Sequence, residues 1–165
     1  NTMISYGLCM LLLVSVPAQI YGFKTGAPES VCEDMEPQHH SKPQTSPSPY
    51  SIKVSQNTIK AGETVTVTLE GNENSGIQFK GFFVQARVGN TPIGKFDEGT
   101  EIKLVDCGNS KGSAASHNDN KDKSSITLKW TAPASLSEDV RFRATFVKDG
   151  ATYWVGQESN TLRVK

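Results

Sequence analysis

FKGFFVQARV, at residues 79–88, is the stretch of sequence that decides the fold. Successive side chains of an extended chain point to opposite faces of a sheet. One face of this stretch carries Phe82, Val84, Ala86 and Val88, and the other carries Phe83, Gln85 and Arg87. A strand with one face in water alternates cleanly between apolar and polar residues. Because aromatic side chains occur on both faces here, the pattern predicts a central strand.

Shorter alternating stretches surround this strand. Val65, Val67 and Leu69 alternate with threonines, which is typical of a half-buried strand whose threonines face water. Comparable stretches are Ile52–Val54, Ile93–Phe96, Ile102–Val105, Ile126–Trp130, Phe142–Phe146, Thr152–Val155 and Leu162–Val164. Turn residues separate them, and Asp149-Gly150 predicts a hairpin. We therefore predict an all-β sandwich of two sheets with eight or nine strands.

The first 22 residues differ in composition from the rest of the chain. Leu8–Val16 is almost wholly apolar, and no charged side chain precedes Lys24. The run is too short for a membrane-spanning helix, which needs about 20 apolar residues. It fits the apolar region of a secretory signal with small residues for cleavage at Ala18 or Gly22. We predict a signal peptide at residues 1–22 and a secreted protein without a membrane span; a buried N-terminal strand is disfavoured because no partner turn follows.

Residues 23–49 are rich in proline and polar side chains, which cannot support a regular helix or a central strand. We expect this segment, called the arm, to lie extended on a sandwich formed by residues 50–165. Cys32 and Cys107 are the two cysteines that remain after the signal peptide, and in an oxidising compartment they are expected to form a disulfide. Two free buried thiols are the less favoured alternative.

Charge excludes several classes of function. The chain has 17 Lys and Arg against 17 Asp and Glu, so its net charge is zero. No overall positive charge attracts nucleic acid, and the chain does not have the charge of a cationic membrane-lysing peptide. A local basic patch remains possible if Arg87, Lys95, Arg141 and Arg143 share one sheet. Such a patch would suit phosphate or sulfate groups on bacterial envelopes or glycans. The alternative is a solvated face balanced by nearby carboxylates.

Catalytic motifs are not found in the sequence. No G-x-S-x-G turn occurs, and acidic pairs lie in turn-like sequence, so we expect no enzymatic activity. The segment Cys107–Lys123 is interpreted as a long loop around His117. His39, His40 and His117 could together ligate zinc, but a hydrogen-bonded His117 is favoured, and we expect no metal or cofactor. Trp154 is a candidate exposed aromatic for ligand contact, with a core position as its alternative.

These features together resemble the reeler (reelin N-terminal-like) domain over residues 23–165. The matching pieces are Gly26-Ala27-Pro28, Cys32, Met35-x-Pro37-x-His39, Gly81–Arg87, Ile93-Gly94-x-Phe96, Cys107, Trp130-x-Ala132-Pro133, Phe142-x-Ala144-Thr145-x-Val147 and Trp154-Val155. The resemblance implies an immunoglobulin-like antiparallel sandwich with an extended N-terminal arm and a Cys32–Cys107 disulfide.

A single secreted domain of this kind is similar to insect defence proteins. That likeness implies secretion into haemolymph and an antimicrobial, innate-immune role. The expected partners are microbial surface polymers (lipopolysaccharide, lipoteichoic acid and glucan) and blood cells, with promotion of nodulation. The alternative is an extracellular adhesion or matrix module that binds sulfated glycans or a protein partner.

Overall fold

The computed structural model describes residues 23–72 and 76–165, and the predicted signal peptide at 1–22 lies outside the described residues. The described part of the chain is all-β, as predicted, with one short 3-10 helix at Glu29–Val31. Its twelve strands are β1 (Tyr50–Val54), β2 (Thr58–Ile59), β3 (Thr64–Gly71), β4 (Gly81–Val88), β5 (Thr91–Ile93), β6 (Lys95–Phe96), β7 (Ile102–Cys107), β8 (Ser110–His117), β9 (Ser125–Thr131), β10 (Arg141–Val147), β11 (Tyr153–Glu158) and β12 (Arg163–Val164).

Two sheets form the sandwich. The small sheet has the order β1-β3-β9-β6, and the large sheet has the order β11-β10-β4-β8-β7, with β5 also paired to β4. Both are antiparallel, whereas the short pair β2 and β12 is parallel. The predicted central strand at 79–88 corresponds to β4, and it is central because β4 lies between β10 and β8.

The main core lies between the two sheets. In the small sheet, Val67 of β3 is opposite Leu128 of β9, and both are buried. In the large sheet, Phe82 of β4 is opposite Phe146 of β10, and both face the same core. Burial of each such side chain contributes about 1.5–3 kcal/mol to the free energy of folding. The alternating apolar residues of these four strands therefore stabilise the packing of the two sheets.

The stretch predicted as one strand at 93–96 is two strands in different sheets. β5 pairs with β4 in the large sheet, and β6 pairs with β9 in the small sheet. Gly94 makes the crossing with φ +69°, and a Cβ at this position would lie 2.5 Å from the Trp130 ring. The Trp130 Nε1 donates a hydrogen bond to the carbonyl of Ile93 at 3.0 Å. The indole thus fixes the crossing point between the sheets.

The interpretation of Cys107–Lys123 as a long loop is wrong. Ser110–His117 is strand β8, paired with β7 on one side and β4 on the other. Its Ser113, Ala114, Ala115 and Ser116 are buried. Small side chains of this kind have weak strand propensity, so the sequence suggests a loop. Burial on both faces of the large sheet overrides that preference, because small residues let the covering segments pack closely.

The arm covers the outer face of the large sheet. Val31 and Met35 of the arm pack with Phe83 of β4 in a second apolar cluster, separate from the main core. The Thr145 Oγ1 donates to the carbonyl of Met35 at 2.7 Å. Aromatic side chains therefore occur on both faces of β4 because one face meets the small sheet and the other meets the arm.

The arm is fixed most firmly at Cys32. A disulfide joins Cys32 to Cys107, with their Cα atoms 5.6 Å apart. The carbonyl oxygen of Cys32 also accepts hydrogen bonds from Gln85 Nε2 at 2.9 Å and Arg87 Nη2 at 2.8 Å. Arg87 additionally donates to the carbonyl of Glu33 at 3.1 Å. These contacts, called the Cys32 anchor, join the arm to β4 and β7.

The crossing at Gly94 gives a stability prediction. We expect Gly94→Ala to lower the free energy of unfolding by roughly 2–5 kcal/mol, because left-handed backbone strain adds to overpacking against Trp130. Gly108→Ala is the matched control: its φ is +63°, but a Cβ there meets nothing within 4 Å. It should cost only about 1–2 kcal/mol. Equal losses in urea unfolding would contradict the assigned close approach.

The Cys32 anchor gives a second prediction. Replacing both cysteines with alanine removes a cross-link across 75 residues, which should cost about 4 kcal/mol in the free energy of unfolding. The arm should also become more sensitive to limited proteolysis than residues 50–165. Urea unfolding and mass spectrometry of the digest measure the two effects. Unchanged stability and an arm that stays resistant would mean that the disulfide does not hold it.

Candidate functional site

Three of the four basic residues predicted to form one patch come together on the large sheet, and Lys95 does not. Lys95 lies on β6 in the small sheet, paired with Thr131, whereas the arginines lie on the large sheet. Arg87 is buried, so it is a structural donor of the Cys32 anchor and not a surface cation. Burial lowers the pKa of Arg87, and the nearby Arg143 lowers it further, while Glu158 and Glu33 oppose both effects. Arg87 nevertheless lies opposite Arg141 in the register of β4 and β10, and the two line one recess together with Arg143 and Glu158. The prediction of a shared patch is therefore wrong for Lys95.

Arg141 and Arg143 do lie side by side on β10, where β11 supplies their counterion. Arg141 Nη1 is 3.0 Å from Glu158 Oε2, and Arg143 Nη2 is 2.7 Å from Glu158 Oε1. Hydrogen bonds from Arg143 and then Arg141 hold the pKa of Glu158 below its usual value. The alternative of a face balanced by a carboxylate thus describes these two arginines better than a free phosphate site.

His117 lies at the end of β8, where both ring nitrogens contact the protein. Its Nδ1 is 3.2 Å from the backbone N–H of Phe82, and its Nε2 is 2.8 Å from the carbonyl of Phe23. The tautomer with its proton on Nε2 satisfies both hydrogen bonds. This is the favoured interpretation, a hydrogen-bonded histidine, and it fixes the start of the arm above Gly81.

The histidines are not gathered into one site. His39 packs edge-on against Tyr153 with ring centroids 5.5 Å apart, and His40 is exposed. Burial lowers the pKa of His39, with Asp149 opposing that shift. Within residues 23–72 and 76–165, no group of three His, Cys, Asp or Glu side chains is placed to hold a metal ion.

Trp154 is buried, and its core alternative is the one that the structure shows. Its ring packs edge-on against Tyr50 at 5.5 Å, while its Nε1 donates to the carbonyl of Ser46 at 3.1 Å. The indole therefore fixes the far end of the arm and is not available as an exposed platform. Burial also raises the pKa of the neighbouring Tyr50 to about 12, with Asp149 adding to the shift.

A recess between the arm and the large sheet is the best-formed candidate site. This recess, called the arm cavity, has a volume of about 210 Å³ and is partly open to solvent. Its apolar walls include Phe23, Val31 and Met35 from the arm and Phe83 and Val147 from the sheet side. Apolar recesses with a few polar groups at the margin are the usual form of small-ligand sites.

Polar groups lie at the margin of the arm cavity. Lys24, Lys80, His39 and Asp149 are among the residues that line it. Lys80 Nζ is 3.1 Å from Asp122 Oδ1, in an exposed ion pair. The backbone N–H of Ala151 donates to Asp149 Oδ1 at 2.9 Å and lowers the pKa of that carboxyl, so Asp149 is ionised and engaged in its own turn. The arrangement suits binding of an apolar group and provides no nucleophile beside a base.

The sequence pattern did not reveal this site. Met35 and Phe83 form its walls, but they are more than 40 positions apart in the chain and belong to segments with no common motif. The signal that could have suggested it is Phe83 on the second face of residues 79–88, since an aromatic side chain on that face had to be covered by something outside the sandwich. The arm was the remaining segment that could cover that face.

Comparisons with known proteins agree with this architecture. The Reeler domain family model matches residues 30–165. "Putative defense protein Hdd11" of Hyphantria cunea is 38% identical over 87% of this chain and 89% of its own length. "Putative defense protein 3" of Antheraea mylitta is 38% identical over 94% of each chain. "Putative ferric-chelate reductase 1" of Danio rerio is also 38% identical, over 93% of this chain but only 27% of its own length.

Among solved structures, the human F-spondin reeler domain (fragment 1) superposes with a TM-score of 0.56 and 18% identity, covering 72% of this chain and 92% of that one. At this level of identity the likeness concerns the fold. None of the helices in the described residues is long and apolar enough to span a membrane.

The pairing of Glu158 gives a pH prediction. A carboxyl whose pKa is lowered on folding stabilises the protein above its unfolded pKa, and this contribution is lost as the pH falls through the folded pKa. We expect Glu158→Gln to lose roughly 1 kcal/mol or less of stability at neutral pH, because the pair is partly exposed. The difference from wild type should vanish in acid, below the lowered pKa. Glu98→Gln, in an exposed segment after β6, is the control, and urea unfolding from neutral to acid pH measures the stability of both variants. A Glu158→Gln deficit that persists in strong acid would contradict the assignment.

Proposed function

The chain belongs to the Reeler domain family, and from that premise we propose that it is a secreted defence protein that binds polymers on microbial surfaces. Two relatives that match it over nearly their whole length carry defence-protein names. The reductase name does not transfer in the same way, because this chain corresponds to about a quarter of that relative. We propose a binding module without enzymatic activity, acting outside the cell in haemolymph.

The observation that supports binding best is the arm cavity. It combines apolar walls with lysines at its margin, on a surface built from the arm and the large sheet. Lipopolysaccharide and lipoteichoic acid carry both acyl chains and phosphates, so each offers an apolar and an anionic group to such a recess. Glucan offers neither group, and any recognition of glucan or of blood cells would have to use another surface.

The arginines on β10 are a weaker candidate for the same role. Glu158 already neutralises part of their charge, and an incoming phosphate would have to compete with that carboxylate. Exposed ion pairs of this kind contribute only about 0–1 kcal/mol, so they add little selectivity for one polymer over another.

The test is a pull-down on whole bacteria with protein recovered from the medium of eukaryotic cells that express the full chain. We expect binding, with competition by lipopolysaccharide and lipoteichoic acid and little competition by heparin. The Arg141→Ala, Arg143→Ala variant should change the apparent affinity by less than about fivefold, equivalent to ~1 kcal/mol, because neither arginine lines the arm cavity. Quantitative immunoblotting of bound protein gives the measurement.

Two results would change the proposal. Retention on heparin without binding to bacteria would replace it with an adhesion module for sulfated glycans. A large loss in the double arginine variant would move the binding surface from the arm cavity to β10. Failure to recover the protein from the medium, with the unprocessed chain retained in the cells, would contradict secretion.

A further inference from the structure

We infer that the arm cavity binds the alkyl chain of an anionic amphiphile, with the chain inside the recess and the anionic head beside Lys24 and Lys80. The inference rests on the proposed function for the biological source of that amphiphile, the acyl chains of microbial surface polymers. The binding chemistry itself is independent of that source. It depends on three features: an apolar interior, walls held in place, and cations at the opening.

The interior of the arm cavity is apolar on both sides. The half-buried Phe23, Pro37 and Val147 present apolar surface to it, and the almost fully buried Met35 and Phe83 complete the lining. Val31 lines it from the arm as well. At about 210 Å³ the recess is larger than the roughly 150 Å³ apolar cavity that suffices to bind benzene in a well-studied engineered case. An alkyl chain that enters the recess leaves water, and it has no polar group that would be buried without a hydrogen bond.

Hydrogen bonds along the arm hold the two walls of the recess in fixed positions. At one end, His117 Nε2 contacts the carbonyl of Phe23 at 2.8 Å, and the backbone N–H of Ala27 donates to Ser116 Oγ at 2.9 Å. At the other end, the carbonyl of Met35 accepts from Thr145 Oγ1 at 2.7 Å. The Cys32 anchor lies between these points. Because the arm is tied on both sides of the recess, the binding site is preformed, which reduces the cost of ordering it around a ligand.

The charges at the opening favour an anionic head group. Lys24 is exposed, and the side chain of Lys80 is 44% exposed, with a surface carboxylate as its partner. Asp149, the acidic residue at the margin, accepts a backbone hydrogen bond within its own turn. A carboxylate or phosphate next to the lysines can form charge-assisted hydrogen bonds, which are stronger than neutral ones. A neutral alkyl ligand would gain the apolar contacts alone.

The first experiment measures affinity against chain length by isothermal titration calorimetry. Hexanoate, octanoate, decanoate and dodecanoate, each below its micellar concentration, are titrated into the secreted, disulfide-bonded protein. We expect Kd to tighten by about fourfold for each methylene, equivalent to ~0.8 kcal/mol, until the chain fills the recess. Affinity should then level off. Absence of binding by every member of the series would overturn the inference.

Variants of the cavity wall locate the binding. Val147→Trp places a large side chain at the sheet side of the recess, and Ala27→Leu places a smaller one at the arm side. Each should weaken decanoate at least tenfold. Val54→Trp is the matched control, since Val54 is also half-buried but lies on β1 of the small sheet. Melting temperatures identify any variant that fails to fold. Equal affinity in the folded cavity variants and the control would place the ligand elsewhere and overturn the inference.

A charge variant separates the head group from the chain. Lys24→Gln with Lys80→Gln changes no apolar wall and should weaken decanoate by up to about fivefold, the effect of roughly 1 kcal/mol of exposed charge contacts. Decanol should bind this variant as it binds wild type. Equal weakening of the acid and the alcohol would contradict the placement of the head group at the lysines.

The same protein preparation distinguishes the two proposals. Binding to bacteria without binding of alkyl carboxylates would leave the proposed function standing and overturn the acyl-chain site. Tight, length-dependent binding of carboxylates without binding to bacteria would establish the site and contradict the microbial source. Competition between decanoate and lipopolysaccharide, lost in Val147→Trp and kept in Val54→Trp, would support both.

Discussion

The attachment of the arm at Cys32 is the constraint on which the candidate site depends. A disulfide holds the side chain of this residue, while Gln85 and Arg87 hold its carbonyl oxygen. The two kinds of contact act differently: the disulfide restricts the unfolded chain, whereas the buried donors become costly to leave unpaired if the arm moves away. Together they make a proline-rich segment without regular secondary structure into a wall of a binding recess.

The charged side chains described above act locally, through ion pairs and hydrogen bonds, and not through an overall charge on the molecule. The chain has no net charge, and four of its cations illustrate three local uses. Arg87 is buried as a donor to backbone carbonyls, Arg141 and Arg143 share Glu158, and Lys80 remains near the arm cavity with an exposed partner. Long-range attraction therefore contributes little to ligand capture, and any selectivity comes from contacts within a few ångströms.

The sequence predicted the parts of the fold that have periodic side chains. Residues 79–88 were identified as a central strand because both faces carry aromatic side chains, and β3 because its valines alternate with threonines. Strand β8 was missed because Ser113 to Ser116 are small and carry no alternating signal. Arg87 was assigned to the surface because the alternation of side chains predicts which face of the strand a residue lies on. It does not predict that the arm covers that face. The arm cavity was not predictable, since Phe23 and Val147 come together only after the whole large sheet has formed.

The long separation between the arm and its partners has a consequence for biosynthesis. The Met35 carbonyl is bonded by Thr145, 110 positions later, and the Trp154 indole bonds the Ser46 carbonyl across 108 positions. The arm leaves the ribosome before the sandwich, yet every strand that it covers is translated after it. Contacts at such sequence distance form slowly because the intervening chain must first be ordered. The arm is made before the sandwich but can dock only after the sandwich has formed, so a ligand that binds under the arm can be held only by a completed sandwich.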